Sequence, residues 1–561
     1  MKKVQVAFGV LLISALCFTA STASARAIDN FATSKVTMAV KLQNIGQFIK
    51  SVEKHANQMG FGPILSGVRQ KMSQSAKQQL GLKKAPQTWG DLLGLMGLST
   101  QSKVLFSIFL KGNIPDVVAV IETNQLQKAE QFFVPEVGKA LGGNTYAKRR
   151  AFPSRFKKGL KTKAIKNGLL KIDPASSFQY ALMGGRYLIL SNSNLRMKQA
   201  IKQWNRGRSV IAKGFSKLKA KSFVKFFMSY IQYNKYIMNT PAATKMYPPQ
   251  MRKMLNNLSK GFSYIWMAAY AHKNGYQMKG YARAGRVKGP MRAFLTTKPQ
   301  LMNSLQLLPR STVFAAAQNM TLAYLGLIGQ MMRAMGQTPV AMMLDTWSLI
   351  LGKEGTLAFI PGPARSVRAA LLIKVSKIKI LEKQLNDLQN MLGKGRQLYK
   401  VAKYKGKVIR HVNLAKFARG RRRGPRGFVS LATVKGYAVL TYEMGTAPMS
   451  LIKQIIRLGN NPAKSFANRP KMKRTLAAIG KNNMFLHLSF AQLARVLGAF
   501  LPPNRNTMMG LRVISMLGHM DAHTKNQGRK MITTATWQLP KRVRQPVKKA
   551  APKKAAPKNN P

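Results

Sequence analysis

The sequence predicts an α+β protein made of two tandem similar domains, each a mainly antiparallel sheet with packed helices. Three observations predict it. Short apolar runs separated by tight turns recur along the chain and read as β-hairpins. Each group of hairpins leads into a segment with helical spacing of apolar residues. The same order of elements then returns about 250 residues later. With 561 residues and 46% hydrophobic residues, the chain is too long for one core and apolar enough to fill more than one.

The strand-turn-strand-helix unit shows the repeat best. Tyr187-Leu188-Ile189-Leu190 follows a Gly184-Gly185 turn and leads to a helix containing Ile201, Lys202 and Gln203. Tyr437-Ala438-Val439-Leu440 follows Lys435-Gly436 and leads to a helix containing Ile452, Lys453 and Gln454. Earlier in each half, Val104–Leu110 and Val117–Ile121 form one hairpin, with a helix from about Gln125. Leu357–Ile360 and Ala369–Val375 form the other, with a helix from about Ile378. Val36–Leu42 precedes a helix with Ile45, Phe48, Ile49 and Val52 on one face, and Val313–Ala317 precedes one with Leu325, Ile328, Met332 and Met335. A hairpin closes each half, turning at Lys273-Asn274-Gly275 and within Lys525–Gly528. The domains are expected at 26–290 and 300–540, with a boundary rich in Gly and Pro between them.

Both ends read differently. Lys2 and Lys3, the apolar run Phe8–Ala20 and Ala23-Ser24-Ala25 have the pattern of a signal peptide (residues 1–25) cleaved after Ala25. That places the expected mature protein in the periplasm or outside the cell. Cys17 is the single cysteine and leaves with this segment, so no disulfide or thiol chemistry is expected. The tail 541–561 is mostly Lys, Ala and Pro and is expected to be disordered.

The second half resembles the uncharacterised bacterial family called domain of unknown function 3352. The resemblance lies in Leu308-Pro309 before the strand at Val313, Leu351-Gly352 before Leu357, Tyr404-Lys405-Gly406 before Val408-Ile409, and Gly436-Tyr437 opening the next strand. It covers roughly residues 300 to 500, and the first half more weakly. It implies an exported α+β repeat protein and brings no activity or catalytic residues. The basicity is a departure from that pattern.

Charge is the main functional signal. Lys and Arg number 94 against 14 Asp and Glu, a net +80. Such a surface repels itself and calls for an anionic partner, or else reflects adaptation of an exported protein to an acidic habitat. The charge concentrates in three places. Lys148, Arg149, Arg150, Arg155, Lys157 and Lys158 open a run that continues through Lys161, Lys163 and Lys166. Arg419, Arg421, Arg422, Arg423 and Arg426 form a glycine-spaced loop, and the two clusters are expected at corresponding places in the repeats. Lys548, Lys549, Lys553 and Lys554 lie in the tail. Arg forks suit phosphate, and Lys supplies mobile point charge. The expected partners are lipopolysaccharide, acidic polysaccharide or anionic lipid, with extracellular DNA or RNA as the alternative.

The inventory for catalysis is thin. The carboxylates are scattered singly, and there is no G-x-S-x-G and no Walker loop. No enzyme, small-molecule substrate or cofactor is expected. One metal candidate stands apart: His519, Asp521 and His523 alternate on a strand and so share a face, which suits Zn²⁺ or another divalent ion. In the first half the expected counterparts are Tyr270 for Asp521 and His272 for His523. His55, His411 and His487 read as packing residues, and the 32 methionines as core filler.

Overall fold

The structure is a computed structural model. It describes residues 28–539 except 34, 44, 59–61, 111–114, 142–160, 166–167, 173–177, 208, 219–221, 260, 273–274, 285–289, 363–365, 394–398, 415–426, 445–448, 499–503 and 529.

Among the described residues helices alternate with twenty strands, and every strand pairing there is antiparallel, so the chain is α+β as its hairpin pattern predicts. The first half contributes β1 Met38–Leu42, β2 Val104–Phe109, β3 Asp116–Glu122, β4 Lys161–Ile165, β5 Gly168–Ile172, β6 Gln179–Met183, β7 Tyr187–Ser191, β8 Val224–Ser229, β9 Phe262–His272 and β10 Gly275–Ala284. The second contributes β11 Phe314–Gln318, β12 Leu351–Pro361, β13 Val367–Val375, β14 Lys400–Tyr404, β15 Lys407–Asn413, β16 Phe428–Val434, β17 Tyr437–Glu443, β18 Met484–Ser489, β19 His519–Gln527 and β20 Lys530–Gln538.

Two sheets were expected; one continuous sheet is found. Its order is β4-β5-β6-β7-β3-β2-β1-β8-β9-β10-β20-β19-β18-β11-β12-β13-β17-β16-β15-β14. Read inward from either edge, each half runs through its strands in the same sequence. The halves join where β10 pairs with β20, from Gly275↔Gln538 to Arg283↔Lys530. That pairing satisfies the backbone of two long hairpins that would otherwise present open edges. The outermost strands, β4 and β14, carry Lys163, and Lys400 and Lys403, which oppose further edge pairing.

Local chemistry accounts for the turns. Lys405-Gly406 and Lys435-Gly436 both have positive φ at both residues, at 47° and 73° and at 50° and 78°. This is the backbone of a two-residue hairpin turn whose twist matches its strands.

The register also fixes which residues of the halves correspond. Ser229 N–H donates to Thr37 O, and Ser489 N–H to Val313 O, both at 2.8 Å. Thr37 therefore matches Val313, and Ser229 matches Ser489. At the closing hairpins, Gly275 pairs with His272 and Lys530 with Gln527, so His272 matches Gln527. The counterpart of His523 is Ala268, not His272, and that of Asp521 is Trp266, not Tyr270. The sequence reading was four residues out of step because β19 continues through Lys525 and Asn526 to Gln527, beyond the Lys525 start expected for its turn.

One face of the sheet carries a core in each half. In the first it includes Phe31, Val120, Ile189, Met197, Phe215 and Trp266; in the second, Leu305, Leu372, Val439, Ile452, Ile455 and Phe466. The other face differs. In the first half Trp89, Leu92, Leu93, Ala129 and Phe133, from two helices, close it into a second core. In the second half, among the described residues, Ile350, Leu351, Val375 and Leu381 form a smaller buried cluster on that side.

The uncharged stretch Ser311–Met332 divides into β11 and the helix Thr321–Ala334, and no helix among the described residues is long and apolar enough to cross a membrane.

Candidate anion-binding site

The helix Ile45–Gln58 follows β1 and presents its apolar side, including buried Ile49, to the protein. Lys50 and Lys54, four residues apart, occupy its exposed side. This side faces the ends of β9 and β10, and between them lies a groove of about 600 Å³. Lys50, Lys54, His55, His272, Gln277 and Lys279 line it, and no carboxylate does so among the described residues. Its electrostatic character is that of an anion cradle.

His55 gives the groove a fixed element. The residue is 1% exposed, and its ring packs edge-on against Tyr276 with centroids 4.4 Å apart. Ser51 Oγ lies 3.4 Å from Nδ1. Nε2 is buried and has no hydrogen-bond partner. Burial, helped by Lys54, holds the pKa below the usual imidazole range. The ring is therefore neutral at pH 7, and the positive charge that would meet a phosphate, sulfate or carboxylate group comes from Lys50, Lys54 and Lys279.

The basic residues singled out by sequence lie outside the described residues. These are Lys148, Arg149, Arg150, Arg155, Lys157 and Lys158; Arg419, Arg421, Arg422, Arg423 and Arg426; and Lys548, Lys549, Lys553 and Lys554. The strands around them place their segments. The first run enters the edge strand β4, whereas the arginine loop joins β15 to β16. The β15–β16 connection corresponds to 173–177 in the first half. The two clusters thus do not occupy corresponding places. The aromatic at the start of the next strand, Phe178 or Phe428, is a shared landmark, but β4 and β5 intervene after the first cluster.

The metal expectation meets a different geometry. His519, Asp521 and His523 do alternate on β19, but four residues of strand separate the outer two by about 13 Å, too far to share one ion. Asp521 Oδ1 is instead bound by His487 Nδ1 at 2.7 Å from the neighbouring strand, and His519 Nε2 lies 3.9 Å from Oδ2. His523 stands opposite Phe485, and burial, Lys525 and Lys279 lower its pKa. Among the described residues no group of three or more His, Cys, Asp or Glu is placed to hold a metal ion. His487 does pack, against Phe466 at 5.0 Å, but it also completes a buried His-Asp-His cluster that sequence alone did not assemble.

A second buried cluster was missed altogether. Lys41 Nζ donates to Asp29 Oδ2 at 2.8 Å, and Lys225, directly opposite Lys41 in register, donates to Phe215 O at 2.8 Å and Leu218 O at 3.3 Å. All three residues are nearly inaccessible. Burial first, then Lys41, pushes the Lys225 amine down to about 8, against a smaller opposing effect of Asp29.

No family model matches the chain, and no curated protein does. Among solved structures the chain is similar to two titled "Structure of crystal form I of TP0453" and "Structure of crystal form III of TP0453". Identity is 8% in both, over 47% of this chain and 81% and 83% of theirs, with TM-scores of 0.22 and 0.23. Superposition at that level carries no argument, and function is read from the residues.

The carboxylates complete the electrostatic picture. Asp29, Asp116, Glu122, Glu130 and Asp345 are each ion-paired within the fold. Glu354 accepts from Ser304 N–H and Tyr437 Oη, both at 2.7 Å; Glu443 from Leu451 N–H; Glu53 from Trp89 Nε1; and Asp91 closes a helix capping box. Most of the described acids are thus engaged by partners within the fold, while Asp345, Glu382 and Asp387 stand exposed among the surface Lys and Arg.

Proposed function

We propose that this is an exported, non-enzymatic protein of the cell envelope that holds acidic polymers or an anionic membrane surface through its basic segments. The observation that carries this reading is the partition of charge. A net +80 stands on a fold in which most of the described acids meet internal partners, and a groove lined by three lysines and two histidines contains no acid among the described residues. Neutralisation of that surface has to come from outside the chain.

The test is affinity for heparin, lipopolysaccharide, anionic vesicles and DNA across a salt series. Binding should weaken steeply with salt, since exposed charges are screened over about 8 Å at physiological ionic strength. With DNA, each phosphate neutralised adds about 0.9 to the magnitude of the log–log salt slope. The variant Arg421→Ala/Arg422→Ala/Arg423→Ala should lower that slope by up to about 2.7 by the same rule, with unchanged thermal unfolding. Deletion of 541–561 should act in the same direction. Wild type that binds none of the four at low salt, or variants that match it throughout, would show that the charge is not a binding device. Adaptation to an acidic habitat would then be the better account.

A further inference from the structure

We infer that the second half contains a binding site for the acyl chain of an anionic monoacyl amphiphile, on the sheet face that the first half closes with helices. Between the helix Thr321–Ala334 and the sheet lies a cavity of about 540 Å³, within the range of small-molecule sites. Ala316, Leu325, Ile328, Leu357, Leu371 and Ile373 supply apolar lining. The apolar surface continues past the cavity: Leu357 is 40% exposed, Phe359 42% and Leu440 40%. Register matches Leu440 to Leu190 of the first half, which is fully buried. The same sheet position is thus core in one half and open in the other, where the helices bury only a small cluster around Leu351, Val375 and Leu381 among the described residues.

Two polar groups mark one end. Thr321, 7% exposed, lines the cavity with a hydroxyl that has no hydrogen-bond partner, and Gln318 Oε1 beside it is also buried and unpartnered. Buried polar atoms cost free energy unless satisfied. An apolar wall with a donor and an acceptor at one end fits a long hydrocarbon chain ending in a carboxyl or a hydroxyl-bearing head.

Charge selects among occupants. A second copy of a chain at +80 is repelled, and the chain's own Lys-rich tail has no apolar face to offer. An amphiphile with a negative head is drawn to the same field. Fatty acids and lysophospholipids share this chemistry.

The experiment uses the mature chain and a fluorescent long-chain polyene fatty acid. Wild type should bind it saturably, one probe per chain. Displacement by palmitate alone assigns a fatty acid, and displacement by lysophosphatidylglycerol as well assigns the broader class. Ala316→Trp fills the cavity and should weaken binding by about tenfold or more through lost apolar burial. Thr321→Val keeps the shape, removes the donor and should weaken the acid by about tenfold, so the test stands even where the larger residue disturbs folding. Heparin affinity should be unchanged in both variants, which separates this site from the basic segments. Absence of saturable binding to wild type, or equal binding by a folded Ala316→Trp protein and by Thr321→Val, would overturn the inference.

Discussion

Replacing Asp29 by Leu should destabilise the protein by about 3–5 kcal/mol, because it strips the ion-pair partner from buried Lys41, which lies directly opposite buried Lys225. Leucine is the informative choice. The register that matches Thr37 to Val313 also matches Asp29 to Leu305, Lys41 to Ala317 and Lys225 to Phe485. The second half thus fills with three buried apolar residues the place where the first half holds an acid and two amines. Completing the exchange with Lys41→Ala and Lys225→Phe should recover most of the loss, since well-packed apolar residues commonly replace a buried ionic group without penalty. The urea unfolding midpoints of the single and triple variants decide this. A triple variant no more stable than Asp29→Leu alone would mean that the two cores are not interchangeable.

The same cluster sets a pH dependence. The Lys225 amine titrates near 8 in the fold against an ordinary value of 10.5. Below pH 8 both folded and unfolded chains carry the proton. Between 8 and 10.5 the unfolded chain binds a proton that the folded chain does not, so stability rises with pH across that window, by up to about 3 kcal/mol. A neutral amine keeps two N–H donors, enough for the two carbonyls it meets. Relief of surface repulsion also stabilises the chain at high pH, so the measurement is the difference between wild type and Lys225→Met. Wild type should gain stability relative to Lys225→Met as pH rises from 8 to 10.

How far these features are legible in the sequence depends on the range of the interactions. Hairpins and amphipathic helices are local, and alternation or 3.6-residue spacing announces them; β2, β3 and the helices Leu126–Leu141 and Ile378–Gly393 lie where the pattern put them. The Lys50 and Lys54 side of the groove was likewise open to view as an i,i+4 pair. The joining of both halves through β10 and β20 was not, because nothing local distinguishes a hairpin that ends a sheet from one that continues it. The clusters Asp29-Lys41-Lys225 and His487-Asp521-His519 were hidden for a related reason. Their members come from segments far apart in sequence, and a lone Lys in a strand reads as solvent-facing until the register sets it opposite another. The same gap misled the metal reading: alternation correctly put three side chains on one face, but the spacing along the strand and the claim of His487 on Asp521 decided their chemistry.

Acid should unfold the second half's core through His519, and His519→Tyr should remove that sensitivity. Register matches His487, Asp521 and His519 to Phe227, Trp266 and Tyr264, whose rings pack on one another with centroids 5.5 to 5.6 Å apart. Tyrosine is thus the side chain that the first half already accommodates at the position. Burial, then Lys471, lowers the His519 imidazole to about 4, outweighing the attraction of Asp521. Above pH 6.5 neither state is protonated there, and the contribution is constant. As pH falls from 6.5 to 4 the unfolded chain takes up a proton that the fold resists, and stability is lost through that window. Thermal unfolding at pH 7 and pH 5 should therefore show a smaller drop in His519→Tyr than in wild type. Asp521→Ala tests the other side of the cluster. It leaves His487 Nδ1 without its acceptor and should cost about 1–3 kcal/mol at pH 7, the penalty of an unsatisfied buried polar group. If His519→Tyr loses as much stability between pH 7 and 5 as wild type, the acid sensitivity lies elsewhere, and the general self-repulsion of the cationic surface becomes the explanation to test by adding salt, which screens exposed charge and leaves a buried imidazole largely untouched.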